Sequence, residues 1–167
     1  MKKLLILICL AGLVTLAMGQ SPLQMGQNQI NAGVGLSEWG VPVYLGFDHG
    51  ISRDVSIGAE VSYKNFREDY HEGHYNHKVM GLSGNANYHF NRIAHIPRDW
   101  DLYAGLNIGY YIWDSPDDYP GDHKTSVGLG MQLGGRYYFS DTFGVNLEFG
   151  GGNAFSGGKF GVTIKLK

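Results

Sequence analysis

The sequence contains a single cysteine, and the position of that cysteine excludes a disulfide framework. Cys9 lies inside an apolar run, Leu4 to Ala17, which follows Lys2 and Lys3 and ends at small residues. A basic start, an apolar stretch and small residues are the three parts of a secretory signal peptide, so residues 1–19 are predicted to be removed. The remaining domain, residues 20–167, then has no cysteine and depends on hydrogen bonds, packing or lipid for its stability.

Sustained helical periodicity, long apolar runs and an excess of one charge are also missing. The apolar run of the leader is shorter than the roughly 20 residues that a membrane-spanning helix needs. The formal net charge is −2, which provides no basic footprint for nucleic acid. The 26 glycines follow no G-X-Y period, which excludes collagen, and five prolines argue against a disordered linker. One folded domain is expected for a chain of this length.

The pattern that is present is an alternation of apolar and polar residues with a period of two, which is typical of a β-strand. It is clearest from Lys124 to Gly151, where two alternating runs flank the turn Ser140-Asp141-Thr142 and predict a hairpin. Similar runs recur along the chain and predict eight strands of about 9–11 residues, the length that crosses a bilayer when tilted. The predicted strands cover residues 30–37, 41–48, 55–64, 80–90, 102–112, 127–139, 143–150 and 159–166.

Eight neighbouring strands joined by hairpins predict an all-β fold, an eight-stranded antiparallel up-and-down transmembrane β-barrel. The alternative is a soluble lipocalin-like barrel with the apolar residues inside. The membrane barrel is favoured because the polar face is rich in glycine, which suits a narrow lumen but would weaken strands on a solvated surface. With the N-terminus in the periplasm, the longest outside loops are predicted at 67–77 and 114–123, and connection 91–99 is longer than a periplasmic turn should be.

Aromatic residues gather near the strand ends, as they do at the two interfaces of a membrane barrel. These positions predict two girdles. One predicted girdle contains Tyr63, Phe66, Tyr110, Tyr111 and Trp113, and the other contains Tyr88, Phe90, Trp100, Tyr103, Tyr137, Phe139 and Phe143.

Three segments resemble a known family, the small outer-membrane β-barrel proteins of Gram-negative bacteria related in architecture to the OmpA membrane domain and OmpX. Gly134 to Gly152 is similar to the glycine-aromatic strand, SD-x-FG turn and alternating strand of that family, and Leu102 to Tyr110 and Phe160 to Leu166 are similar too. The resemblance implies an OmpA-like, porin-family barrel in the cell outer membrane, exported through a cleaved signal peptide. The implied partners are outer-membrane lipid, lipopolysaccharide and the barrel assembly machinery.

Charged residues on the polar face predict an ion-pair network in the lumen. Arg136 and Glu148 lie on neighbouring strands at similar heights, so they are expected to pair, because buried charges must be compensated. Such a network would plug the barrel, since an eight-stranded lumen is filled by side chains. A narrow porin with a polar conduit is the alternative. The predicted network consists of Glu60, Lys64, Arg136, Glu148 and Lys165.

The predicted outside loops contain the remaining candidates for chemistry. In loop 67–77, His71, His74 and His77 lie beside three carboxylates, and imidazoles this close could share a Zn²⁺, Cu²⁺ or Ni²⁺ ion. A solvated surface loop is favoured, with a ligand- or metal-binding role as the alternative. Loop 114–123 contains four aspartates and is interpreted as an acidic surface loop, the alternative being divalent cations that bridge it to lipopolysaccharide phosphates.

An enzyme is the third class, because some small outer-membrane barrels are lipid A acyltransferases or deacylases. Ser115, Asp117 and His123 lie on one predicted outside loop, but the sequence has no nucleophile elbow. We therefore expect no enzymatic activity and no cofactor. The predicted function is that of an integral outer-membrane protein with a structural, anchor or surface-interaction role, in which a surface ligand would bind through the outside loops.

Overall fold

A computed structural model describes residues 23–37, 40–70, 73–115, 125–152 and 157–166. Each strand pairs antiparallel with its neighbours in sequence, and β1 also pairs with β8, which closes the barrel. The predicted eight-stranded antiparallel up-and-down barrel is therefore confirmed. No helix within these ranges is long and apolar enough to cross a membrane. The predicted signal peptide, residues 1–19, lies outside the described residues. The strands are β1 (Asn28–Ser37), β2 (Val43–Gly50), β3 (Val55–Tyr70), β4 (Gly73–His89), β5 (Trp100–Asp114), β6 (Ser126–Tyr138), β7 (Phe143–Gly151) and β8 (Gly157–Leu166).

The strands close with a stagger. Successive register partners of Asn31 lead through β2, β3, β4 and β5 to Gly128 on β6, and in the other direction through β8 and β7 to Tyr138 on β6. The register therefore shifts by ten residues around the barrel. A sheet needs tilted strands and a fixed shear of this kind to close on itself. The curvature also brings distant residues together inside the lumen. Tyr44, for example, donates a hydrogen bond to Asn146, which is 102 residues away in the chain.

The apolar side chains lie on the outside of the barrel and the polar side chains lie inside, which is the reverse of a soluble barrel. The outward side chains of Leu106 and Leu129 are 64% and 70% exposed, whereas the inward Gln29 and Asp101 are fully buried. Because side chains alternate between the two faces, one register places the whole apolar set outside. The lipocalin-like alternative is wrong, since it requires the apolar set to fill the interior.

Aromatic side chains form a girdle on the outward face at one rim of the barrel. The rings of Trp100 and Tyr137 have centroids 4.8 Å apart, and Tyr137 and Phe139 meet edge to face at 5.1 Å. Tyr88 and Phe90 form a second edge-to-face pair at 5.4 Å. These are favourable geometries for ring pairs. The girdle continues to Phe143, which stacks on Phe139 at 6.3 Å, so its residues lie on β4, β5, β6 and β7 and on the connections that follow β4 and β6.

Three residues of the predicted girdles face the lumen instead. Trp113 has the inward parity of β5, and its ring centre lies 5.7 Å from the ammonium group of the buried Lys64. Tyr103 and Tyr111 are the other two. They are 1% and 2% exposed, and they have the same parity on β5 as the buried Asp101. Inward rings need space, and glycines provide it. A Cβ atom added to Gly134 would overlap the Tyr103 ring, and one added to Gly109 would overlap the Tyr111 ring. The glycines of the lumen face therefore make room for inward aromatic side chains.

Replacing Gly134 with alanine is expected to lower the melting temperature of the barrel, because the new methyl group would collide with the Tyr103 ring. Overpacking of a filled interior typically costs about 1–3 kcal/mol. Gly84→Ala is the matched control, since Gly84 faces outward and a Cβ atom there would have its nearest neighbour 3.8 Å away. Heat-modifiable migration on an SDS gel measures both variants, and equal melting temperatures would contradict the role of Gly134.

The barrel has two different ends. The terminal end contains the first residue of β1, the last residue of β8 and the connections 51–54, 90–99 and 139–142. The opposite end, the hairpin end, contains the connection between β3 and β4. Most of the predicted loop 67–77 is strand, because β3 and β4 stay paired as far as Tyr70 and Gly73. β2 pairs with β3 only as far as Tyr63, and β5 pairs with β4 only as far as Lys78. Lys64 and His77 are still buried, so residues 65–70 and 73–76 form a projecting hairpin.

The long connection 90–99 at the terminal end is fixed by side-chain hydrogen bonds. Asn91 is buried and accepts a hydrogen bond from the Leu102 amide at 3.2 Å. The Arg92 guanidinium donates to both oxygens of Asp54, and these bonds hold the pKa of Asp54 below its ordinary value. The contribution of this pair to stability is thus present at neutral pH and is lost as the pH falls through the lowered pKa of Asp54. It is small, because the Arg92 side chain is 58% exposed.

Candidate functional site: the charged lumen

A chain of buried polar side chains crosses the lumen near the terminal end. Arg136 donates hydrogen bonds to Asp101 at 2.9 Å and to Asp48 at 2.7 Å. His89 Nδ1 lies 2.7 Å from Asp101 Oδ1, and His89 Nε2 lies 2.9 Å from Ser56 Oγ. All five side chains are buried. Buried charges are tolerated when they are paired and hydrogen-bonded in this way, and we call this group the terminal belt.

The terminal belt continues onto the first and last strands. Asp48 Oδ2 also accepts hydrogen bonds from the side chains of Gln29 at 3.0 Å and Asn31 at 2.9 Å. The Tyr138 hydroxyl donates to Gln29 Oε1, and the Thr163 hydroxyl donates to Asn31 Oδ1, both at 2.8 Å. With these residues the belt joins every strand except β7. It therefore ties together strands that are far apart in the sequence.

A second group of charges, which we call the central cluster, lies in the middle of the lumen. Lys159 Nζ is 2.7 Å from Glu148 Oε1 and 2.9 Å from Glu60 Oε2. Glu148 is the register partner of Lys159 on the neighbouring strand, whereas Glu60 reaches it from across the lumen. The Tyr103 hydroxyl donates to the other oxygen of Glu148 at 2.8 Å. One ammonium group thus holds two carboxylates that would otherwise repel each other.

The space left between the two groups is small. A cavity of about 40 Å³ is lined by residues of both the terminal belt and the central cluster, together with amide side chains such as Asn107 and Gln132. A single water molecule needs about 10–15 Å³ of such space. The cavity accordingly has room for a few water molecules and for no larger solute.

Comparison with known proteins shows the family. The sequence profile of the outer membrane protein beta-barrel domain matches residues 10–164. The chain belongs to this family. Its apolar outward face is therefore the surface that an outer-membrane barrel turns toward lipid. No curated protein matches the chain.

Solved structures of other outer-membrane barrels share this fold. The N-terminal β-barrel domain of Pseudomonas aeruginosa OprF is 17% identical with a TM-score of 0.57, and the match covers 85% of this chain and 98% of that one. OprG from Pseudomonas aeruginosa is 12% identical with a TM-score of 0.62, covering 86% and 97%. Neisserial surface protein A is 16% identical with a TM-score of 0.54, covering 84% and 95%. At these identities the likeness shows the fold alone.

The predicted pairing of Arg136 with Glu148 is wrong, although both side chains lie in the lumen of this outer-membrane barrel. The register sets Glu148 opposite Gly134 and sets Arg136 opposite Asn146. Arg136 instead pairs with its own register partner on β5, Asp101, and with Asp48 from across the lumen, while Glu148 pairs with Lys159.

The other three residues of the predicted network also face the lumen. Glu60 belongs to the central cluster. Lys64 is buried with its ammonium group 5.7 Å from the centre of the Trp113 ring, and Lys165 lies 4.1 Å from the centre of the Tyr138 ring. Both lysines thus contact aromatic faces, which attract cations.

The predicted network lacks four acidic or basic residues of the lumen groups, besides their uncharged members. Asp48, His89, Asp101 and Lys159 all have the inward parity of their strands, so the alternation that identified the polar face could have found them. When these residues are included and the histidines are neutral, the described lumen contains equal numbers of acidic and basic side chains. The acidic ones are Asp48, Glu60, Asp101 and Glu148, and the basic ones are Lys64, Arg136, Lys159 and Lys165.

Of the three histidines in the predicted cluster, the structure describes the side chain of His77 alone. His77 is buried in the lumen, with Nδ1 2.9 Å from Ser115 Oγ, and does not belong to a surface loop. His71 lies outside the described residues, as do Asp117 and His123 of the enzyme alternative, and only the backbone of His74 is described. Within the described ranges, no group of three or more potential ligands could hold a metal ion.

Proposed function

We propose that this outer-membrane barrel is a membrane anchor with a closed lumen, and that it presents the projecting hairpin at the cell surface as a contact surface for another macromolecule. The observation that carries the proposal is the register of β3 and β4. Their pairing continues to Tyr70 and Gly73, well past the last residues that pair with β2 and β5.

The arrangement of the lumen supports an anchor over a conduit. The terminal belt connects seven strands, and the central cluster adds a contact from β7 through Glu148. Side chains fixed by several charge-assisted hydrogen bonds each are strongly held. A barrel of this kind is a rigid support, which leaves the parts beyond the membrane to make contacts.

The projecting hairpin supports the contact role. Within the described residues, the outer edges of β3 beyond Tyr63 and of β4 before Lys78 have no neighbouring strand. Free strand edges present N–H and C=O groups that an extended chain can pair with. Neisserial surface protein A, which has the same fold, is by its name a surface protein.

Cysteine labelling tests which end of the barrel is displayed. If residues 1–19 are removed, the protein has no cysteine of its own. Lys78→Cys, at the base of the projecting hairpin, is expected to react with a membrane-impermeant maleimide on intact cells. Arg98→Cys, in the connection 90–99, is expected to react only after the outer membrane is permeabilised. Both native side chains are exposed. Labelling of Arg98→Cys alone on intact cells would contradict the proposed display.

A further inference from the structure

The outward face of β1, β2 and β3 contains an apolar groove of about 280 Å³. It lies over Ala59, whose register partners are Phe47 on one side and Gly84 on the other. Ala59 and Gly84 are adjacent on β3 and β4 and are both small, so a depression remains between the large outward side chains around them. The apolar side chains that line the groove are Ile30, Leu45, Phe47, Ala59 and Val61.

The groove leads toward polar groups at the terminal end. His49 follows Phe47 by two residues on the same face of β2, which is about 7 Å along a strand. Its Nδ1 lies 2.7 Å from Asn28 Oδ1, so the Asn28 carbonyl accepts that bond and its NH₂ group keeps donors for another partner. Arg53, in the turn that follows β2, is exposed; the neighbouring Asp54 carboxylate is hydrogen-bonded by Arg92, and Arg53 acts on it only through the weaker attraction of its charge.

The aromatic girdle does not extend over this sector. Its rings belong to β4, β5, β6 and β7 and to the connections after β4 and β6. At the same rim, the outward side chains of β1, β2 and β3 are those of Asn28, His49 and Val55, none of which is aromatic. Polar groups of a lipid can therefore approach the barrel here without displacing a ring.

We propose that this sector binds one phospholipid, with an acyl chain in the groove and the phosphate group on Arg53. The groove lies on the face that an outer-membrane barrel turns toward hydrocarbon, so an acyl chain is the group that reaches it. Beyond the hydrocarbon side chains of the groove, the His49–Asn28 pair lies where the ester region of the lipid would lie, and the Arg53 guanidinium, past the exposed Ile51, lies at the rim where the phosphate would lie. Arginine binds phosphate oxygens through paired hydrogen bonds. The inference does not depend on the role of the projecting hairpin.

Filling the groove is expected to remove the bound lipid. The probe is palmitoyl-oleoyl-phosphatidylglycerol, titrated into the folded barrel in a mild detergent and counted by native mass spectrometry. The wild-type protein should hold one lipid, and Ala59→Leu should lose that species. Ala104→Leu is the matched control, because Ala104 also faces outward, on β5, far from the groove. Equal lipid retention by wild type and Ala59→Leu, or no retained lipid on wild type, would overturn the proposal.

Arg53→Gln tests the phosphate contact separately and, because it alters an exposed turn, leaves the groove intact. It should weaken phosphatidylglycerol binding about tenfold, the loss expected for one charge-assisted hydrogen bond. Binding of dioleoylglycerol, which has no phosphate, should be unchanged. If Ala59→Leu converts a dimer to a monomer and leaves lipid retention unchanged, then a second copy of the chain occupies the groove, which also overturns the proposal.

Discussion

Replacing Arg136 with methionine is expected to lower the free energy of unfolding of the barrel by about 3–5 kcal/mol, the usual cost of breaking a buried ion pair. The substitution would leave the buried carboxylates of Asp48 and Asp101 without the guanidinium that compensates both. Removing a charged partner is more damaging than removing an uncharged one, because the remaining groups still carry the desolvation penalty. Urea titration in detergent micelles, followed by gel mobility and tryptophan fluorescence, measures the change.

Two further variants separate the charge effect from other causes. Combining Arg136→Met with Asp48→Asn and Asp101→Asn should restore most of the stability, since replacing a whole buried ion group is often close to neutral. Arg92→Met, which removes the exposed partner of Asp54, should have little effect. A combined variant no more stable than Arg136→Met would assign the loss to packing. Equal losses for Arg136→Met and Arg92→Met would contradict the importance of the terminal belt.

No steady ionic current is expected through the wild-type barrel in a planar bilayer. The terminal belt crosses the lumen, the central cluster lies in its middle, and the cavity between them has space for only a few water molecules. An ion on this path would have to displace paired charges and lose much of its hydration, which is strongly unfavourable in a low-dielectric interior.

The conductance measurement also decides between the closed anchor and the narrow porin. A porin of known conductance, added to the same bilayer after the barrel, shows that insertion and recording conditions are adequate. A reproducible current through the wild-type barrel that increases linearly with voltage and with salt would contradict the closed lumen and favour the porin.

The alternation in the sequence predicts the strands inside the membrane closely and the parts beyond it poorly. The structure extends β1 only from residue 30 back to Asn28, but it extends β3 from residue 64 to Tyr70. The added segment of β3, NFREDY, has no apolar and polar alternation. If this segment lies beyond the bilayer, as we propose, no lipid faces it, so nothing in its environment requires one side to be apolar and no periodic signal is expected.

The parity of each strand also predicts which charged residues enter the lumen, but it does not predict their partners. Arg136 and Asp48 are 88 residues apart, and Lys159 and Glu60 are 99 residues apart. These contacts depend on the register shift around the barrel and on the width of the lumen, and a local sequence pattern predicts neither of them. The height of Tyr103 along β5 predicts a girdle position, whereas its parity predicts the lumen, and the structure agrees with the parity.

The position of Lys159 has a consequence for the order in which the barrel is completed. Lys159 belongs to β8, the final strand of the chain, whereas its carboxylate partners Glu60 and Glu148 lie on β3 and β7. A sheet of seven strands would therefore hold two acidic side chains without their shared base, along with two open edges. Docking of β8 against β1 and β7 therefore closes the barrel and supplies the shared base of these two acids in the same step.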